Sequence, residues 1–112
     1  MKKIILTLMV LLFFTACSSS DSNDGQGPTG LATCLTDNGA TMYGTEWCGH
    51  CQNQKAMFGD SFKDVNFVDC DQDRSACQAA GIRGYPTWVI GGKQYPGTQS
   101  LATLAELVGC KI

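Results

Sequence analysis

The sequence predicts an α/β fold: one mixed β-sheet with helices packed on its faces. Three observations carry that expectation. The predicted elements run α-β-α-β-α-β-β-α, and strands separated by helices are buried most simply in a sheet covered by them. A Cys-x-x-Cys pair, Cys48 and Cys51, sits where a strand gives way to a helix. The foldable stretch, residues 31–112, is long enough for one core and too short for two.

The chain opens with Lys2 and Lys3 and an apolar run from Ile4 to Phe14, broken only by Thr7. A positive start and a short apolar run read as a leader, residues 1–16, and fall short of the ~20 residues of an ordinary membrane span. Thr15 and Ala16 before Cys17 resemble the lipobox of bacterial lipoproteins, although Phe14 stands where that pattern prefers Leu. The resemblance implies cleavage before Cys17, lipidation of Cys17 and an anchor on the outer side of a bacterial membrane, in the cell envelope. The alternative is an ordinary secretory signal that leaves Cys17 a free thiol. Residues 18–30 contain no large apolar side chain, so residues 17–30 read as the lipidated cysteine and a flexible tether.

The elements of the domain follow from local pattern. Leu31 to Asp37 is a short helix stopped by Asn38-Gly39. Ala40 to Gly44 is an apolar strand, and Gln52 to Phe58 is built of good helix formers ended by Gly59. Val65 to Cys70 alternates as a strand, and Ser75 to Ala80 is a helix ending at Gly81. Pro86 to Ile90 and Lys93 to Tyr95 form a hairpin across Gly91-Gly92. Ser100 caps a last helix whose apolar face is Leu101, Leu104, Leu107 and Val108.

Charge and cysteine content narrow the function. The formal net charge is −2, and loss of Lys2 and Lys3 with the leader makes the mature chain more acidic. That excludes a phosphate-backbone partner, which needs clustered Lys and Arg, so no nucleic acid is expected. Seven cysteines in so short a chain fit an oxidising compartment. Removing Cys17 leaves an even number that can all pair.

Cys48 and Cys51 are the reactive candidates. A helix N-terminus offers unpaired N–H groups and the positive end of the helix dipole, which favour a thiolate, the nucleophilic form of cysteine. The first cysteine is expected to face outward and attack, and the second to displace it from a mixed disulfide. His50 between them favours the anion, and Trp47 offers a flat apolar surface. Blander alternatives stand beside these roles. The pair is otherwise a structural disulfide, or half of a zinc site completed from His50, Cys70 and Cys77. His50 is otherwise a solvated first-turn residue, Trp47 a packing residue, and Tyr85 only the bulky neighbour of Pro86.

The run W-C-G-H-C, Trp47 to Cys51, followed by G-I-R-G-Y-P-T, Gly81 to Thr87, resembles the thioredoxin superfamily over nearly all of residues 31–112. The resemblance implies a cis bond between Tyr85 and Pro86, with Pro86 against the cysteine pair, pairing with extended substrate backbone and keeping metals away. Gly97 also matches a family glycine. The central Gly49 and His50 are similar to those of protein disulfide isomerase domains. The pattern from Met42 to Gly59 is closer still to the thioredoxin-like domains linked to bacterial vitamin K epoxide reductase homologues. Those exchange disulfides with a quinone-linked membrane enzyme and oxidise secreted proteins. Thioredoxins carry a buried acid where Met42 stands, and its absence argues against an efficient reductase.

The same resemblance implies a structural disulfide between Cys70 and Cys77, with a second redox couple as the alternative. Cys34 and Cys110 lie near the two ends of the domain. Paired, they close a loop worth about 4 kcal/mol in the chain-entropy model. Asp69, Asp71 and Asp73 lack the glycine and distal glutamate of a calcium loop and read as a solvated acidic loop.

The expectation is a monomeric, lipid-anchored thiol–disulfide oxidoreductase without cofactor or metal, an oxidase or isomerase of exported proteins. The alternatives are an envelope reductase and a peptide-binding module without turnover.

Overall fold

The computed structural model describes residues 27–111. The leader, Cys17 and the tether up to residue 26 lie outside the described residues. Helix α1 spans Gly27–Asp37, strand β1 Thr41–Gly44 and helix α2 Gly49–Phe58. A 3-10 helix over Gly59–Asp64 leads to β2, Phe67–Asp69, and α3, Arg74–Ala79. Strands β3, Thr87–Ile90, and β4, Lys93–Pro96, precede α4, Leu101–Val108.

The four strands form one sheet in the order β2-β1-β3-β4. β1 runs parallel to β2, with Met42 opposite Phe67 and Gly44 opposite Asp69. β1 is antiparallel to β3, and β3 to β4. The sheet is therefore mixed, as the element order predicts: helix α2 carries the chain from β1 to its parallel neighbour, while a tight turn joins β3 to β4. Gly91 and Gly92 have φ of 59° and 79°, a left-handed pair that suits a two-residue hairpin turn.

The core lies between sheet and helices. Leu31 and Leu35 of α1, Met42 of β1, Trp88 of β3 and Leu104 of α4 are fully buried. Phe58, at the end of α2, packs near Trp88 and Phe62, with ring centroids 6.2 and 6.0 Å away. A disulfide joins Cys34 of α1 to Cys110 beyond α4, across a sequence separation of 76. The two ends of the domain thus meet on one side of the sheet.

Several boundaries differ from expectation, among them the starts of α2, at Gly49 rather than Gln52, of α1 and of β2. Residues 27–30, assigned above to the tether, belong to α1, which spans Gly27–Asp37 rather than starting at Leu31. Pro28 is compatible with this, because a first-turn residue has no intrahelical use for the N–H that proline lacks. The expected strand from Val65 shrinks to Phe67–Asp69. Val65 instead closes the 3-10 helix, donating its N–H to the Phe62 carbonyl at 2.9 Å.

Candidate active site

The site forms where β1 ends and α2 begins. Cys48 is the N-cap of α2, with extended backbone, and its Sγ accepts the N–H of Cys51 at 3.1 Å. A sulfur thus fills the place usually taken by a Ser or Asp oxygen, on an amide that would otherwise lack a partner. Both cysteines are free thiols. Cys48 keeps 7% of its surface exposed and Cys51 none. The outward-facing first cysteine expected from the sequence is therefore more recessed, because its sulfur turns back onto the helix.

Cys51 lies under β1. A Cβ built on Gly44 would stand 2.7 Å from Cys51 Sγ and 3.3 Å from the Phe67 ring. Only glycine lets the strand approach this thiol so closely. Sequence reasoning missed this role of Gly44; its position at a strand end immediately before the active loop was the available signal. Burial, followed by the hydrogen bond with Cys48, pushes the Cys51 thiol up from 9.0 to about 12. A hydrogen bond with the Thr45 backbone and the charge of Lys55 act in the opposite direction. Thr45 is itself fully buried. Met42 is buried in β1, so that position presents a thioether rather than a carboxylate.

The rim gathers most of the other predicted residues. Trp47 is 65% exposed. Its indole N–H donates to an Asp71 carboxylate oxygen at 2.7 Å, and its ring meets Tyr85 edge-on at 6.0 Å. The Tyr85–Pro86 bond is cis, and Pro86 is buried. Thr98, just after Gly97, donates from its hydroxyl to the His50 carbonyl at 3.2 Å. Gly49 opens α2, with open space where a Cβ would stand. Exposed His50 follows it, held at the site by the backbone of the first helical turn.

Behind the site, Gln54 of α2 is fully buried. Its Oε1 accepts the Trp88 indole N–H at 3.0 Å and the Gln99 N–H at 2.8 Å, while its Nε2 donates to the Gln99 carbonyl at 3.0 Å. One glutamine therefore fixes α2 to β3 and to the loop before α4. Sequence reasoning took it as a helix former and as one position of the pattern from Met42 to Gly59, without this bracing role.

Cys70 and Cys77 form a disulfide between the end of β2 and α3. It lines a cavity of about 290 Å³ with Asp71, Arg74, Gln78, Ile82 and Tyr85. The pair is thus committed to each other in this structure, and Tyr85 connects its cavity to the rim of the active site. The acidic loop is more structured than a solvated run. Asp69 accepts the Asp71 N–H, Asp71 holds Trp47, and Asp73 caps α3 by accepting the Ala76 N–H.

Comparison with known proteins agrees with this architecture. The family model described as Thioredoxin matches residues 41–108. The chain is 42% identical over 106 residues to the thiol-disulfide oxidoreductase LTO1 of Arabidopsis thaliana, covering 87% of this chain and 27% of that protein. It is 38% identical over 87 residues to the protein disulfide isomerase-like 2-2 of Oryza sativa subsp. japonica, covering 64% of this chain and 24% of that protein. The chain thus spans about a quarter of the length of these relatives. A thioredoxin structure from Fasciola hepatica is similar with a TM-score of 0.47 and 20% identity, over 67% of this chain and 85% of that one.

Proposed function

This chain belongs to the thioredoxin family, and on that premise we propose that it is a thiol–disulfide oxidoreductase acting on exported proteins through Cys48 and Cys51. The observation that carries the reading is the Cys48 sulfur at the helix cap, accepting a backbone N–H, above a buried Cys51 thiol. The forward step begins with the oxidised pair. A substrate thiolate attacks Cys48 Sγ, the Cys48–Cys51 bond breaks, and Cys51 leaves with the electron pair and takes a proton. A second substrate thiolate then attacks the substrate sulfur of the mixed disulfide. Cys48 leaves as thiolate, the substrate is oxidised, and the pair is reduced.

The environment of Cys51 prolongs the mixed disulfide once it has formed. Reversal requires Cys51 to attack the mixed disulfide as thiolate. With its thiol pushed up to about 12 and a thioether at Met42, Cys51 is a neutral thiol at ordinary pH. The mixed disulfide then lives long enough for the substrate's second cysteine to finish the reaction. Trp47 and Tyr85 form the exposed rim against which an extended substrate lies.

The setting belongs to the same proposal. Cys17 is lipidated after loss of the leader, the domain stands on its tether at the outer side of a membrane, and a quinone-linked membrane enzyme reoxidises the pair. The Arabidopsis relative, named a thiol-disulfide oxidoreductase, supports the class of reaction. Replacing Cys51 with Ala tests it. The variant is expected to accumulate mixed disulfides with exported proteins through Cys48, released by reductant. A folded Cys51→Ala protein that traps none in an envelope extract defeats the reading.

A further inference from the structure

Cys51 must carry negative charge whenever it leaves Cys48 or attacks a mixed disulfide, yet the parts of β1 and β2 seen against it, Gly44 and the Phe67 ring, are not ionisable. Gly44 brings the strand backbone close to the thiol, the Phe67 ring borders the same gap, and the Asp69 carboxylate accepts the Asp71 N–H. The charged neighbours come from α2 and the loop before it. They are Cys48, Lys55 and, through Lys55, Glu46.

Lys55 lies one helical turn beyond Cys51, and helical side chains lean back over the turn N-terminal to their own Cα. Its ammonium stands 4.3 Å from the centre of the Phe67 ring and 3.1 Å from each Glu46 carboxylate oxygen. The Phe67 ring also reaches within 3.3 Å of the gap that Gly44 leaves for the Cys51 sulfur. The ring therefore adjoins both the ammonium and the thiol. Only 21% of the Lys55 side chain is exposed, against 69% for Glu46. Charge held against an aromatic face and partly removed from water acts more strongly on a buried neighbour than a solvated one does. Glu46 is steadied in turn, since its carbonyl accepts the Gln52 side-chain N–H at 2.9 Å.

We propose that Lys55, held by Glu46 and seated on Phe67, is the positioning charge that stabilises the Cys51 thiolate during exchange, in a site where the strand offers Met42 rather than a carboxylate. The inference rests on the exchange reaction proposed above. Lys55 changes no bond. It lowers the cost of the electron pair on Cys51 Sγ as the Cys48–Cys51 bond breaks, and equally as Cys51 expels a thiol from Cys48 and closes that bond again.

The test mixes the reduced full chain with oxidised glutathione. Acid-quenched mass spectrometry follows first the Cys48–glutathione adduct and then its conversion to the Cys48–Cys51 disulfide, from pH 6 to pH 9. Conversion by Lys55→Met is expected to be about tenfold slower at each pH, matching the wild-type rate about one pH unit higher. Lys55→Arg, which keeps the charge, is expected to follow the wild type. Lys55→Gln repeats the test should Met disturb the fold. Conversion by Lys55→Met or Lys55→Gln at the wild-type rate overturns the inference. So does equal slowing by the neutral variants and by Lys55→Arg, which marks a packing role. A wild-type chain that forms no adduct at Cys48 fails earlier, and removes the exchange reading itself.

Discussion

Two cysteine pairs share the active-site end of this molecule, and they differ in what surrounds them rather than in chemistry. Cys48 and Cys51 are three residues apart at the start of α2, with one sulfur on a backbone N–H and the other beneath Gly44. Cys70 and Cys77 join the end of β2 to α3 as a disulfide, and both are nearly buried. The first pair is bordered by exposed Trp47 and Tyr85, a surface on which a polypeptide can lie. The second faces a cavity and closes a short loop. Reactivity therefore follows from a helix terminus, an access route and a neighbouring recognition surface. The same two sulfurs without them are a staple.

The sharpest way to break this comparison is to exchange the roles by mutation. Cys48→Ser is expected to abolish thiol–disulfide exchange while leaving the melting temperature nearly unchanged, since a hydroxyl can still cap α2. The double replacement of Cys70 and Cys77 by Ser is expected to do the reverse, keeping exchange and losing stability. Exchange assays with a dithiol peptide, paired with thermal melts, check both. A folded Cys70/Cys77 variant that no longer turns over would make that disulfide a redox relay, and the contrast would fail.

The next effect is on stability alone and separates the two disulfides from each other. Cys34–Cys110 spans 76 residues and Cys70–Cys77 only 7. Loop-closure entropy makes the long bridge worth about 4 kcal/mol and the short one about 2 to 3. Denaturant titrations of the two double Ser variants are expected to show that order. Equal losses would mean that local contacts, not chain entropy, dominate the short bridge.

A smaller effect is expected from Gly44→Ala. The added methyl would meet Cys51 Sγ at 2.7 Å and the Phe67 ring at 3.3 Å, so the α2 terminus must shift. Overpacking of this kind costs about 1–3 kcal/mol. The variant is also expected to form the Cys48–Cys51 disulfide more slowly than wild type. Wild-type stability and rate together would show that α2 moves freely over the strand.

How much of this was legible in the sequence depends on whether the signal was local. The cysteine pair, the Ser100 cap and the Gly91-Gly92 hairpin are short patterns with direct physical meaning, and each stands where it was expected. Ser100 Oγ accepts the Thr103 N–H at 3.0 Å. The mixed sheet followed from element order. What escaped was set by contacts between distant segments. Gly44 is one glycine among many until the strand is seen against Cys51. Gln54 looks like any helix former until Trp88 and Gln99 meet it. The start of α1 escaped because Gly27 to Gly30 is as polar and glycine-rich as residues 18–26.

The smallest effect at neutral pH concerns the proton on Cys51, and it sharpens the distinction between a buried thiol and a bonded one. In the folded, reduced protein Cys51 keeps its proton up to about 12, whereas in the unfolded chain it ionises near the ordinary 9.0. Between those values the unfolded chain binds fewer protons, so the stabilisation contributed by the neutral thiol is complete below 9.0 and declines as pH rises towards about 12. Cys51→Ala removes the group and with it this slope. Denaturant midpoints of the two reduced proteins are expected to keep a constant separation from pH 6 to pH 8. Above pH 9 that separation should drift, with the wild type losing ground. The Cys34–Cys110 and Cys70–Cys77 bridges have no proton to lose and contribute nothing to the drift, so parallel curves through pH 11 would mean that burial does not hold the Cys51 proton. The slowness with which Cys51 resolves a mixed disulfide at neutral pH would then need another explanation than its retained proton.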